Sequence, residues 1–350
     1  MIKEIKINKK IIGKNKPVFI IAEAGVNHNG SLETALRLVD AAATSGADAV
    51  KFQTFRAEDV VTKEGKMVGY QVKNMGKSIS QLEMIKGFEL NESFWSPIIS
   101  HCKEKNIIFL STPHGGFHSV DLLHSLNVPA FKIGSGDLTN LPVLSYAARF
   151  KKPMILGTGM ATMAEVNKAI DCVKETGNSQ IVVLHCTTNY PCPFNEVNLE
   201  AMKTMMNKIN VLVGYSDHTT GIQVPIMAAS LGACVIEKHF TLDKNMSGPD
   251  HIASLEPDEL KKMVDSIRNV SKIMGSGVKR PNASEVSMIK TVRKSVVAIA
   301  DIKKGEIYSL QNLAIKRPGT GISPIHFYEI IGRVAKKDIK NDSLIQRDDY

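Results

Sequence analysis

The chain has 350 residues, 43% of them hydrophobic, which supplies one large core and leaves enough length for a small second domain. Its net charge of +9 is spread along the sequence without an aromatic-rich RNA signature, so nucleic-acid binding is not expected and an anionic small substrate accounts for the charge equally well. Five scattered cysteines lack C-x2-C pairing, no apolar run reaches membrane-spanning length, and MIKEIKINKK has no leader-like apolar core; reduced thiols and a soluble, cytoplasmic protein without membrane association are therefore expected.

Taken in chain order, short Val- and Ile-rich runs alternate with amphipathic segments. The runs are Val18–Glu23, Asp48–Phe52, Ile107–Ser111, Ala130–Gly134, Pro153–Gly157, Ile181–Cys186, Val211–Tyr215 and Cys234–His239. Helical spacing falls at Leu32–Ser45, Glu92–Lys105, Ser119–Leu126, Leu141–Phe150, Met163–Thr176, Asn198–Asn207, Ile222–Leu231 and Pro257–Ile273, with Ser31 as a start signal and Gly46, Gly177 and Gly232 as stop signals. Eight strand–helix units predict an α/β fold, a (β/α)8 TIM barrel; a doubly wound open sheet is the alternative. The expected domains are a barrel over residues 1–278, a linker over 279–291 and a small all-β module over 292–350, whose runs SVVAIA, NLAIKR and GRVAKKDI are separated by turn residues. Lys261–Lys294 carries nine Lys or Arg against two acids and reads as a solvated face.

In a closed parallel barrel all strands end at one mouth, so functional groups converge there. The run ends carry Glu23, Lys51 and Gln53, Ser111 and Thr112, Lys132, Ser135 and Asp137, Thr158, His185, Ser216, Asp217 and His218, and Glu237 and His239. Any one of these suits a capped strand end; eight in succession point to a binding site, because charged groups are costly to bury unless they pair or bind something. His218 and His239 end adjacent strands and could share a metal with positions left open for substrate, or simply be two hydrogen-bonded histidines. Lys51 and Lys132 suit a phosphate or carboxylate as point-charge clamps, or one of them a Schiff base, as in aldolases. Gly134-Ser135-Gly136 suits an anion-binding nest.

The motifs IAEAGVNHNG (21–30), VKFQTF (50–55), FLSTP (109–113), FKIGSGD (131–137), GTGM (157–160), LHCTTNYPCP (184–193), GYSDHTTGI (214–222), IEKHFTLDKNMSGPDH (236–251) and KRPGTGISP (316–324) resemble, in order, the bacterial sialic acid (nonulosonic acid) synthases. The resemblance implies a barrel followed by an antifreeze-like SAF β-clip domain, in a domain-swapped homodimer where that domain reaches over the partner's site. It implies condensation of phosphoenolpyruvate with the open-chain aldehyde of N-acetylmannosamine, giving N-acetylneuraminate and phosphate by C–O cleavage. A 2,4-diacetamido-6-deoxy sugar giving an N,N'-diacetyllegionaminate-type product is the alternative; a Schiff-base pyruvate aldolase with Lys132 as nucleophile, or a carbohydrate- or ice-binding protein, are rivals of other kinds. The implied cofactor is a divalent metal, manganese first and magnesium or cobalt otherwise, on His218 and His239. Lys51, Lys132, Ser135, Thr188 and Ser216 resemble residues that hold phosphoenolpyruvate; Asn74, Tyr190, Asp250 and the partner-donated Arg317 position resemble contacts to an N-acetylated amino sugar; Glu23 and Glu237 match acids beside the reacting atoms. Two positions depart from the pattern: Asp137 stands where many members carry glutamate, and Gly157 where some carry a phosphate-binding serine.

Overall fold

A computed structural model describes residues 4–350; residues 1–3, which open the expected barrel domain, lie outside it. The described residues divide into two compact units, the first ending at Gly275 and the second running from 276 to 350. In the first, an antiparallel hairpin of β1 (Glu4–Ile7) and β2 (Lys10–Gly13) precedes eight parallel strands: β3 (Phe19–Gly25), β4 (Ala49–Thr54), β5 (Ile108–Pro113), β6 (Phe131–Ile133), β7 (Met154–Gly157), β8 (Ile181–His185), β9 (Leu212–Asp217) and β10 (Val235–His239). Each predicted run overlaps one of these strands, and β3, β4, β5 and β9 continue two residues past the ends of their runs.

The first barrel strand, β3, pairs with β4 on one side and with the last strand, β10, on the other, a closed order that an open doubly wound sheet does not have. Adjacent strands are hydrogen-bonded around the ring except at β5 and β6, which lie side by side without a ladder among the described residues. β6 is three residues long and ends where the chain turns through Gly134 into the 3-10 turn Ser135–Asp137.

Period-two alternation sorts the side chains into two layers. Phe19, Ile21, Ala49, Leu110, Ile155, Val182, Leu184 and Val235 fill the barrel interior, where Ile5, Ile7 and Ile12 of the hairpin join them. Ile20, Ala22, Val50, Phe52, Leu156 and Ile236 face the helices. The helices bury one stripe each against that outer layer: Met163–Glu175 buries Val166, Ala169, Ile170 and Val173, and its start is fixed by a capping box between Thr162 and Glu165. Ser31 accepts a hydrogen bond from Thr34 N at the start of helix Leu32–Ser45, and Gly46 closes it at φ +82°, a conformation that favours glycine.

The second unit holds helix Ala283–Val292, none of whose side chains is buried, and an antiparallel pair of β11 (Ser295–Ala298) and β12 (Leu313–Lys316). Isolated bridges Val297–Leu344, Ile302–Ile339 and Ile307–Val334 extend the β-rich fold around Val296, Ile302, Tyr308, Leu313, Ile330 and Ile345.

Candidate active site

The C-terminal mouth of the barrel opens into a cavity of about 560 Å³, lined by Glu23, Lys51, Lys132, Ser135, Asp137, Thr188, Tyr190, Ser216, His218, Glu237, His239 and Asp250. These are twelve of the fourteen residues that the family resemblance places in the site. Asn74 is not among its lining residues: its Nδ2 donates to Tyr190 O (3.1 Å) and Pro249 O (2.6 Å), tying together the loops that carry Tyr190 and Asp250. Arg317 belongs to the second unit and is exposed just beyond β12.

Strand register explains the convergence. Glu23 lies opposite both Lys51 and His239, and Glu237 lies opposite Ser216. At the floor, Lys51 Nζ is 2.7 Å from Glu23 Oε2 and 3.7 Å from Glu237 Oε2, and donates to Thr112 Oγ1 at 3.0 Å. Lys132 Nζ is 3.4 Å from Glu237 Oε1, which also accepts from Ser216 Oγ at 2.9 Å. Two ammoniums and two carboxylates are thus held out of water in mutual compensation.

Burial dominates the proton affinities here. It pushes the Glu23 carboxyl up to about 7, reinforced by Glu237 and opposed by Lys51. The same burial acts to raise Glu237, but Lys132 and Lys51 outweigh it and hold that group below the usual glutamate value. For Lys51 desolvation is outweighed by Glu23 and Glu237, so its amine is raised and stays an ammonium, unsuited to Schiff-base chemistry. Desolvation lifts Asp250 to about 6.

Gly134-Ser135-Gly136, expected to form an anion nest, follows β6 directly. Ser135 Oγ accepts from Gly159 N at 3.0 Å and lies 3.2 Å from Cys186 Sγ. A Cβ at Gly157 would come within 3.0 Å of Ser135 Oγ and 3.3 Å of Lys132 Nζ, so a serine there would crowd the groups it would assist. Glycine at this departure keeps that corner open.

His218 and His239 stand with ring centroids 5.5 Å apart, and Tyr190 packs 4.1 Å from the first and 5.5 Å from the second. Burial lowers His218 to about 4 and His239 well below the ordinary histidine value, leaving both as neutral imidazoles. The 2.6 Å contact of His218 Nδ1 with the Thr187 carbonyl requires the proton on Nδ1, which frees the Nε2 lone pair. His239 Nδ1 is buried without a hydrogen bond, 3.9 Å from Asp250 Oδ2, and Glu237 Oε2 and Thr188 Oγ1 also lack partners. No group of three or more His, Cys, Asp or Glu side chains is poised around a common ion position among the described residues.

Several polar strand ends are internally satisfied instead. Ser111 bonds Thr54 at 2.7 Å, Thr158 donates to Leu184 O, His185 meets Val197 O at 2.9 Å, and Asp217 pairs with Lys238 at 2.5 Å. Asp217 and Ser111 are odd-parity neighbours of cavity residues and point into the outer layer, a distinction that the strand's period of two makes. Conversely, His114 and Tyr70 line the cavity without having been singled out. His114 follows FLSTP at the end of a barrel strand, which was its signal; Tyr70 packs against Tyr190, ring centroids 5.1 Å apart and tilted by 35°, from a segment with no clear periodicity.

The NeuB family model matches residues 38–279 and the SAF domain model residues 293–350. The chain is 51% identical to the N,N'-diacetyllegionaminic acid synthase of Campylobacter jejuni, over 95% of this chain and 99% of that protein. It is 48% identical to the Legionella pneumophila protein of the same name, over 91% of each. The crystal structure of N-acetylneuraminic acid (sialic acid) synthetase from Leptospira borgpetersenii, in complex with citrate, superposes with a TM-score of 0.73 at 35% identity, covering 82% of this chain and 95% of that one. With the closed barrel, the mouth residues and the module over 293–350 all in place, the chain belongs to the NeuB family and carries a SAF domain.

Proposed function

We propose that this enzyme is a sialic acid synthase, condensing phosphoenolpyruvate with the open-chain aldehyde of an N-acetylated amino sugar such as N-acetylmannosamine to give a nonulosonic acid and phosphate. The observation that carries the reading is the pairing of an anion-binding floor with two neutral imidazoles in one cavity. Lys51, Lys132, Ser135 and Ser216 bind and orient the phosphate and carboxylate of phosphoenolpyruvate, with Thr188 Oγ1 an unspent donor beside them. Tyr190 and Asp250 contact the sugar, and Asn74 acts on it through the loops it ties. Arg317 joins them in a domain-swapped homodimer, contributed by the partner. Glu23, whose raised proton affinity suits proton transfer near neutrality, protonates the aldehyde oxygen as C3 of phosphoenolpyruvate attacks its carbon.

The residues fit a divalent cation: His218 Nε2 has a free lone pair, His239 Nδ1 is a buried orphan, and two protein ligands leave positions for oxygens. When bound, such an ion supplies Lewis-acid polarisation of the aldehyde, with manganese the first choice. Among the described residues no helix is long and apolar enough to cross a membrane.

A second reading is favoured by the identities of 51% and 48% to N,N'-diacetyllegionaminic acid synthases against 35% to the sialic acid synthetase. On it the sugar is a 2,4-diacetamido-6-deoxymannose. Phosphate release measured with phosphoenolpyruvate, manganese and each sugar in turn is expected to require the sugar and to vanish with a chelator, and the sugar with the larger kcat/KM decides between the two readings. Release with neither sugar, or trapping of pyruvate on Lys132 by borohydride, would overturn the synthase reading.

A further inference from the structure

Asp137, the shortened carboxylate of the FKIGSGD motif, does not face the cavity alone. Its Oδ2 lies 3.1 Å from Nδ1 of His114, and its Oδ1 accepts from Asn140 Nδ2 at 3.3 Å. Both Asp137 and His114 line the cavity. The imidazole lies across Gly134, where a Cβ would come within 2.7 Å of its Cε1 and 3.3 Å of its Nε2, so only glycine at this position leaves the ring its place. Backbone hydrogen bonds fix the residue itself, His114 N donating to Thr54 O at 3.0 Å. At Nε2 no described residue forms a hydrogen bond. Thr112, two residues earlier, receives Lys51, and Gly134 lies between Lys132 and Ser135, so the ring stands between the two halves of the anion site.

A cavity-lining imidazole with a carboxylate on one nitrogen and no hydrogen-bond partner at the other is the arrangement of an oriented acid–base histidine. The carboxylate selects the Nδ1–H tautomer, which leaves the Nε2 lone pair to take up a proton. We propose that His114, oriented by Asp137, is the proton-transfer residue for the water that adds to C2 of phosphoenolpyruvate. The inference rests on the synthase reading above and assigns a further catalytic residue to it. After C3 has bonded the aldehyde carbon, a water oxygen bonds C2, and one of its protons passes to His114 Nε2. The second proton leaves that oxygen as its electron pair forms the C2 carbonyl, restoring Glu23, and the bond from C2 to the bridging oxygen breaks with its pair. His114 returns its proton to the departing phosphate. One water is thereby consumed, its oxygen retained at C2 and its two protons divided between the new hydroxyl, through Glu23, and the phosphate. Asp137 is a positioning residue, and a glutamate is not needed there because the imidazole spans the remaining distance.

The test uses the full chain with phosphoenolpyruvate, manganese and whichever amino sugar the wild type accepts. His114→Gln keeps a side-chain donor for Asp137 but cannot carry a proton, and is expected to lower kcat by about 10²–10⁴-fold with little change in KM for phosphoenolpyruvate. Added imidazole is expected to restore part of the activity of His114→Ala, which a purely structural role would not allow. Asp137→Asn is expected to lower kcat as well, and to add little in combination with His114→Gln. A His114→Gln enzyme with the wild-type kcat overturns the assignment while the synthase reading stands, and so does a variant whose loss is confined to KM. If the wild type releases phosphate with no sugar, both fall.

Discussion

Lys51→Met is expected to lower kcat/KM for phosphoenolpyruvate by about 10²–10³-fold, the loss associated with removing one preorganised donor to a developing oxyanion. The reasoning starts from its position: the ammonium is 3% exposed and compensates Glu23 at 2.7 Å and Glu237 at 3.7 Å. Without it two carboxylates face each other in a dry cavity, one must take up a proton, and the floor loses half its positive charge. A stability loss accompanies the activity loss, about 3–5 kcal/mol if the stranded charge does not neutralise itself and less if it does. Steady-state phosphate release, normalised to enzyme shown folded by circular dichroism, separates the two effects. A variant with activity near that of the wild type would remove Lys51 from the anion site.

The second large effect is expected where no substrate reaches. Lys238 and Asp217 are fully buried and paired at 2.5 Å, and Lys238 Nζ also donates to the Thr219 carbonyl while Thr219 Oγ1 bonds Asp217 Oδ2 at 3.0 Å. The pair cross-links β9 and β10, in register with each other, and each member is flanked by cavity residues: Ser216 and His218 on one strand, Glu237 and His239 on the next. Lys238→Met leaves the Asp217 carboxylate uncompensated and is expected to destabilise the fold by about 3–5 kcal/mol, measured by urea denaturation. Asp217→Leu combined with Lys238→Met should recover much of that loss, since replacing a buried ion pair by apolar groups is often near neutral. A single variant as stable as the wild type would show that the pair does not hold these strands.

The repeating architecture was readable because its signals are local. Each barrel strand is a Val- or Ile-rich run, each helix has a 3.6-period stripe, and caps such as Ser31 and Gly46 mark the ends. What pattern alone did not sort was side-chain direction. Asp217 and His218 are adjacent polar residues, yet one meets Lys238 in the outer layer and the other the cavity. Hairpin Glu4–Gly13 went unpredicted because its three apolar anchors, Ile5, Ile7 and Ile12, are interleaved with lysines and bury only against the barrel interior. The wall carrying Tyr70 and Met84 is built from helices of four to seven residues, too short for a hydrophobic period to stand out. His114 escaped notice because its partner, Asp137, lies 23 residues away and is brought close only by neighbouring strand ends.

The chemistry assigned to the barrel mouth is C–O cleavage, in which water supplies the oxygen that stays at C2 and phosphate departs with the bridging atom. Phosphoenolpyruvate carrying oxygen-18 in the bridge between C2 and phosphorus distinguishes this directly by mass spectrometry of both products. The label is expected in the released phosphate, with none in the nonulosonic acid; label retained in the sugar acid would mean P–O cleavage and contradict the proposed roles of Lys51, Lys132 and His114 together.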